Sequence, residues 1–164
     1  MKKLYCIALV LLLTVAIVSP VMAGKPSSGV KCKVEVKSKP VALIANHLFF
    51  VYTNATGSYY YRGGPSDDGT PDWGTIVTDS GRYVPGTVDY VQRAPSVTAA
   101  EGTAYCAGGC FDTTSTRIEA ANIPYGVFTP NSNSVIRTLL HTCNIKEVKP
   151  NVWAPGWETV ISLP

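Results

Sequence analysis

From position 30 the chain alternates, with Val30, Cys32, Val34 and Val36 apolar and Lys31, Lys33, Glu35 and Lys37 charged between them. A period of two belongs to a strand with one face on a core and the other in water. The stretch 41–53 is apolar almost throughout, interrupted by Asn46 and His47, which is the pattern of a strand covered on both faces. Asn54-Ala55-Thr56-Gly57 supplies a turn, and the tyrosine-rich 58–62 completes a hairpin. Residues 63–74 are too rich in Gly, Pro and Asp to be other than a loop. Further strands are expected at 75–79 and 82–91, joined by Ser80-Gly81, with Pro85-Gly86 bending the second.

The period then changes to that of helices. Residues 113–122 form one, with Thr116 and Glu119 at the spacing of a capping box and Pro124 beyond the end. A second starts near Thr129-Pro130, with Thr129 or Asn131 as the cap. Val135, Ile136, Leu139 and Leu140 make its buried stripe, and Asn144 is suited to a left-handed stop. Strands first and helices afterwards predict an α+β domain, an antiparallel sheet of four to five strands with two or more helices packed on it. No internal repeat is visible.

Ahead of this domain Lys2 and Lys3 lead into an apolar run ending at Ser19-Pro20, followed by Val21-Met22-Ala23. The run is about 15 residues against the roughly 20 that a spanning helix needs, so 1–23 reads as a signal peptide rather than a membrane span. Residues 24–29 are then a flexible lead-in and 30–164 a single domain, exported to a periplasm or the medium, with no integral span after cleavage. Cys6 leaves with the leader, and Cys32, Cys106, Cys110 and Cys143 remain. In an oxidising compartment four cysteines predict two disulfides with three possible pairings. The Gly-Gly spacer favours Cys106–Cys110, leaving Cys32–Cys143. A zinc site is the alternative, but the lone C-x₃-C lacks a second ligand pair, so no metal is expected.

Charge narrows the function further. Of 14 Lys and Arg, two lie in the leader, and 11 Asp and Glu bring the remainder close to neutrality, without the footprint of a nucleic-acid binder. Lys31, Lys33, Lys37 and Lys39 read as a solvated strand face. No phosphate loop or dinucleotide fingerprint is present, and no cofactor is expected. His47 stands out, because an imidazole in an apolar strand must either find a partner inside the core or face a cleft. His141 reads as a cation at a helix C-terminus. Asn131-Ser132-Asn133-Ser134 opens the last helix, where free N–H groups and the helix dipole favour developing negative charge. Capping alone would also explain that tetrapeptide. Trp73, and the pair in Trp153-Ala154-Pro155-Gly156-Trp157, suit either a groove for a peptide or sugar or the closing of the core.

A His in a hydrophobic strand, a following strand ending in Arg62-Gly63-Gly64-Pro65, and later an Asn-x-Asn-Ser at the start of a Leu-rich helix resemble the circularly permuted papain-like superfamily. This group includes the PPPDE peptidases, the lecithin:retinol acyltransferase-like proteins and permuted relatives of the NlpC/P60 cell-wall peptidases. The resemblance spans roughly 47–141. It implies a papain-like fold, His47 as base and Ser132 where those families place a Cys nucleophile. Asn131 or Asn133 is then a candidate oxyanion donor. The third, orienting group is unassigned, with Tyr59, Tyr61 and Arg62 on the paired strand. Tyr61, Arg62, Trp73 and Asn133 are the candidate binding residues.

Serine in place of cysteine matters chemically, since a hydroxyl needs stronger activation than a thiol. Cys143 is no substitute, lying about 16 Å along the helix from Ser132. The expected function is therefore an amide hydrolase acting on a peptide, with cell-wall peptide suggested by resemblance and export. The alternatives are an inactive envelope or secreted binding domain that keeps the cleft, and a secreted effector acting on another cell. The distance between His47 and Ser132 discriminates between hydrolase and relic.

Overall fold

A computed structural model describes residues 29, 31–41, 44–67 and 73–164. The leader, and the lead-in apart from Gly29, lie outside the described residues. Five strands, β1 (Cys32–Pro40), β2 (Asn46–Asn54), β3 (Gly57–Pro65), β4 (Ile76–Arg82) and β5 (Ser96–Gly102), form one sheet in the order β4-β3-β2-β1-β5. Every pairing is antiparallel. Two helices follow, α1 (Gly109–Ala120) and α2 (Ser132–Thr142). This is the expected α+β class.

The alternation of β1 sends Cys32, Val34 and Val36 to the helical side, where they join Leu48, Phe50 and Tyr52 of β2. Phe111 of α1 meets Phe50, Tyr52 and Tyr61, with ring centroids 4.8, 5.6 and 5.3 Å apart. Val135, Ile136, Leu139 and Leu140 of α2 are fully buried, and Asn144 takes a left-handed φ of 53° after the helix. At Gly63 an added Cβ would lie 2.6 Å from Val135 Cγ2, so this glycine lets α2 approach β3 closely. Among the described residues no helix is long and apolar enough to cross a membrane.

The other face of the sheet carries His47, Phe49 and Val51, all buried. The cover here is the segment 83–95, where Tyr83 packs on Phe49 at 5.9 Å and on Tyr90 at 5.2 Å. This segment is not the strand expected at 82–91. β4 instead runs straight through Ser80-Gly81, and the chain turns after Arg82, with Gly86 at a φ of 93°. β5, short and built largely of small residues, falls where no strand was expected.

Two further expectations are corrected. Thr116 is inside α1, its hydroxyl bonded to Asp112 O, and Glu119 accepts from Thr78 N and Oγ1, so the two form no capping box. The disulfides are Cys32–Cys106 and Cys110–Cys143. Gly102 pairs with Cys32 across the sheet, and the turn at Thr103–Tyr105 returns Cys106 to the start of β1. Cys110 sits in the first turn of α1 and Cys143 caps α2. Of the spacer glycines, Gly108 serves packing, since a Cβ there would lie 2.9 Å from the Tyr52 ring, while a Cβ on Gly109 would meet open space.

Peptide mapping without reduction should therefore yield Cys32–Cys106 and Cys110–Cys143, and a Cys106–Cys110 peptide would contradict the fold. The cystine Cys110–Cys143 closes a separation of 33 residues, so a Cys110→Ser/Cys143→Ser variant should lose about 3 to 4 kcal/mol of unfolding free energy in a denaturant titration.

Candidate active site

The site forms where the sheet opens. β2 and β3 pair from Asn54↔Gly57 to Phe50↔Tyr61 and no further, although β2 extends back to Asn46 and β3 on to Pro65. Beyond Phe50 the two strands diverge, which leaves backbone groups of β2 unpaired on that side. Asn133, in the first turn of α2, takes two of them. Its Oδ1 accepts from Leu48 N at 2.7 Å and its Nδ2 donates to Asn46 O at 3.0 Å, the groups flanking His47 in sequence. Asn133 Nδ2 also donates to Pro155 O at 2.9 Å, and Asn46 N donates to Trp153 O at 3.0 Å, so the C-terminal segment holds the same junction.

Asn131 caps the helix. Its Oδ1 accepts from Asn133 N at 2.9 Å and Ser134 N at 3.4 Å, and Ser134 Oγ accepts from Asn131 N at 3.2 Å. Asn131 Nδ2 donates to Val127 O and Pro155 O, both at 3.0 Å. The side chains of Asn131 and Asn133 are thus committed to structure, and neither amide is left as an oxyanion donor. The backbone N–H of Ser132, first residue of α2, has no partner among the described residues.

Ser132 and His47 are 7% and 5% exposed, and Ser132 Oγ lies 3.1 Å from His47 Nδ1. The other ring nitrogen, Nε2, lies 3.3 Å from Asp89 Oδ2. Asp89, on the covering segment, has a fully buried carboxylate that also meets Lys39 Nζ at 2.5 Å and Arg62 Nε at 3.0 Å. Lys39 stands directly across from His47 in the β1–β2 register. Burial alone would raise the Asp89 carboxyl; the hydrogen bond and charge of His47, with Lys39 and Arg62, outweigh it and hold the group down at about 2.

An ionised carboxylate only accepts, so His47 Nε2 carries a proton, and when the ring is neutral Nδ1 is the acceptor left for the Ser132 hydroxyl. That is the geometry of a serine, its base and an orienting acid. The acid was not legible in the sequence. Asp89 lies in a segment patterned like a strand, 42 residues from His47.

The remaining candidates fall in different places. A cleft of about 720 Å³ opens over the pair and is lined by Arg62, Trp73, Trp153 and the α2 start among others. Trp157 is instead buried in the core. Tyr61 is on the helical face, its hydroxyl donating to Asp112 at 2.9 Å, and burial followed by that bond raises it far above its ordinary range. It does not line this cleft, nor does Tyr59; both line a separate hollow of about 390 Å³. Lys39 belongs to the charge cluster rather than to a solvated face, and His141 is paired with Glu147 at 2.7 Å.

No protein-family model matches the chain, and comparison with curated proteins and with solved structures finds no match either.

Because folding lowers the Asp89 carboxyl from 3.8 to about 2, its contribution is present above pH 4 and is lost as the pH falls through 2. By the conversion of 1.36 kcal/mol per unit the contribution is about 2 kcal/mol. Asp89→Asn should cost about that much in urea titrations at neutral pH and flatten the loss of stability between pH 4 and 2. Unchanged stability would show that the carboxylate is not held as described.

Proposed function

We propose that this chain is an exported hydrolase of permuted papain-like architecture, in which Ser132, His47 and Asp89 cleave an amide or ester. The observation that carries the reading is the continuous chain of hydrogen-bond distances, 3.1 Å from Ser132 Oγ to His47 Nδ1 and 3.3 Å from His47 Nε2 to Asp89. A relic that kept only its cleft would not need the hydroxyl at the imidazole. The order of His strand and Ser helix start is the one the resemblance implies. The carboxylate partner suits the departure from cysteine, because a serine needs an imidazolium stabilised as the proton is taken up.

In the first step Ser132 Oγ attacks the substrate carbonyl while its proton passes to His47 Nδ1. The carbonyl oxygen gains negative charge near the α2 N-terminus, where the Ser132 N–H is unspent. The C–N or C–O bond then breaks as His47 returns the proton to the leaving group. Water, deprotonated by His47, releases the acyl group as an acid and restores the serine. The two disulfides accord with an oxidising compartment. A cell-envelope peptide is one substrate of this chemistry.

A fluorophosphonate should label the wild-type protein at Ser132, and Ser132→Ala should abolish the labelling. Hydrolysis of an activated ester should fall at least about 10³-fold in the same variant. If the wild type is not labelled while Ser132→Cys is readily alkylated by iodoacetamide, the site is a relic and the binding-domain reading replaces this one.

A further inference from the structure

Most of the large apolar side chains that the described residues leave in water are gathered in one place. Val41, Ile44, Trp73, Val127, Phe128 and Trp153 are all exposed and all line the cleft over Ser132, with Ile44 at 74% and Phe128 at 67%. Outside the cleft only Val84, Val88 and Tyr105 are comparable among the described residues. An apolar patch concentrated at a cleft mouth marks a ligand surface.

The floor of the cleft has the opposite chemistry. Lys39 and Arg62 line it, and among the described residues its lining includes no Asp or Glu. Both cations share the single buried anion Asp89, so the cluster carries positive charge in excess. The Arg62 side chain is 25% exposed although its Nε is buried, and its terminal guanidinium nitrogens have no partner among the described residues. A planar fork that lines a cleft uncommitted to the described residues is the group that holds a carboxylate by two parallel bonds.

We propose that the cleft takes an N-acylated amino acid, with the acyl chain on the apolar rim and the free carboxylate on Arg62 and Lys39. This rests on the hydrolase reading for its reaction, the amide carbonyl then standing at Ser132 and the amino acid leaving as an amine. Recognition itself does not require turnover. Arg62 and Lys39 are specificity-determining residues, and they also position His47 through Asp89.

The test measures binding to Ser132→Ala protein by calorimetry, below micelle-forming concentrations, with N-decanoylglycine, N-decanoylglycinamide and N-acetylglycine as probes. The decanoyl acid should bind about tenfold or more tightly than either the amide, which lacks the charge, or the acetyl compound, which lacks the chain. Adding Arg62→Gln should cut the preference for acid over amide to no more than about threefold, the share that Lys39 retains, whereas Lys37→Gln, on the same strand as Lys39 but outside the cleft, should leave their ratio unchanged. If the Arg62 variant does not fold, Lys39→Gln serves in its place, and Ile44→Ser should erase the advantage of the long chain. Equal binding of acid and amide, or no binding of the decanoyl acid at millimolar concentration, overturns the proposal. Wild-type protein that binds with this preference but never turns over overturns only the hydrolase reading.

Discussion

The two bonds from the Asn133 side chain to β2 fix the distance on which the site depends. Leu48 N and Asn46 O are the backbone groups on either side of His47, and Asn133 is the residue after Ser132. One amide therefore sets the strand that carries His47 against the helix that carries Ser132, with little freedom between them. The bonds are available because β2 and β3 cease to pair beyond Phe50↔Tyr61. Left open, those groups would be buried without partners, at a cost of roughly 1 to 3 kcal/mol each. The divergence of the strands thus makes the cleft, and the start of α2 fills its inner end.

The second constraint comes from the opposite face of the sheet. Phe49 and Val51 need cover, and the segment 83–95 supplies it through Tyr83 and Tyr90. The same cover carries Asp89 to His47, so burial of an apolar face and placement of this carboxylate are one event. A buried carboxylate is tolerated there because three cationic or proton-donating groups surround it. This cluster sets the tautomer of His47 and leaves positive charge facing the cleft.

Much of this was legible in the residues themselves. The alternation from Cys32 to Val36, the apolar run from Leu48 to Tyr52 and the stripe Val135, Ile136, Leu139 and Leu140 specify the layers, whereas Val41 and Ile44, expected in the same buried strand, precede β2 and are exposed. The facing of His47 and Ser132 was expected from a His in an apolar strand and an Asn-Ser-Asn-Ser helix entry, taken in the order that the resemblance implies. Asp89 and the role of Lys39 could not, since both depend on how a turn-rich segment folds back over the sheet. The disulfide pairing was misread for a similar reason: nearness along the chain suggested Cys106–Cys110, while the return of β5 to β1 and the packing of α1 on α2 decide the partners. Asn131 and Asn133 look alike in sequence, yet one caps the helix and the other ties it to β2.

The proposed hydrolysis depends on Asp89 holding His47 with Nε2 protonated and Nδ1 free to take the Ser132 proton. Long-range ¹H–¹⁵N correlation of the neutral His47 ring reads this directly. A protonated Nε2 and an unprotonated Nδ1 are expected, with that preference weakened in Asp89→Asn. A neutral ring protonated at Nδ1 would donate to Ser132 Oγ instead of accepting from it, and would leave the serine without a base and Asp89 without its orienting part.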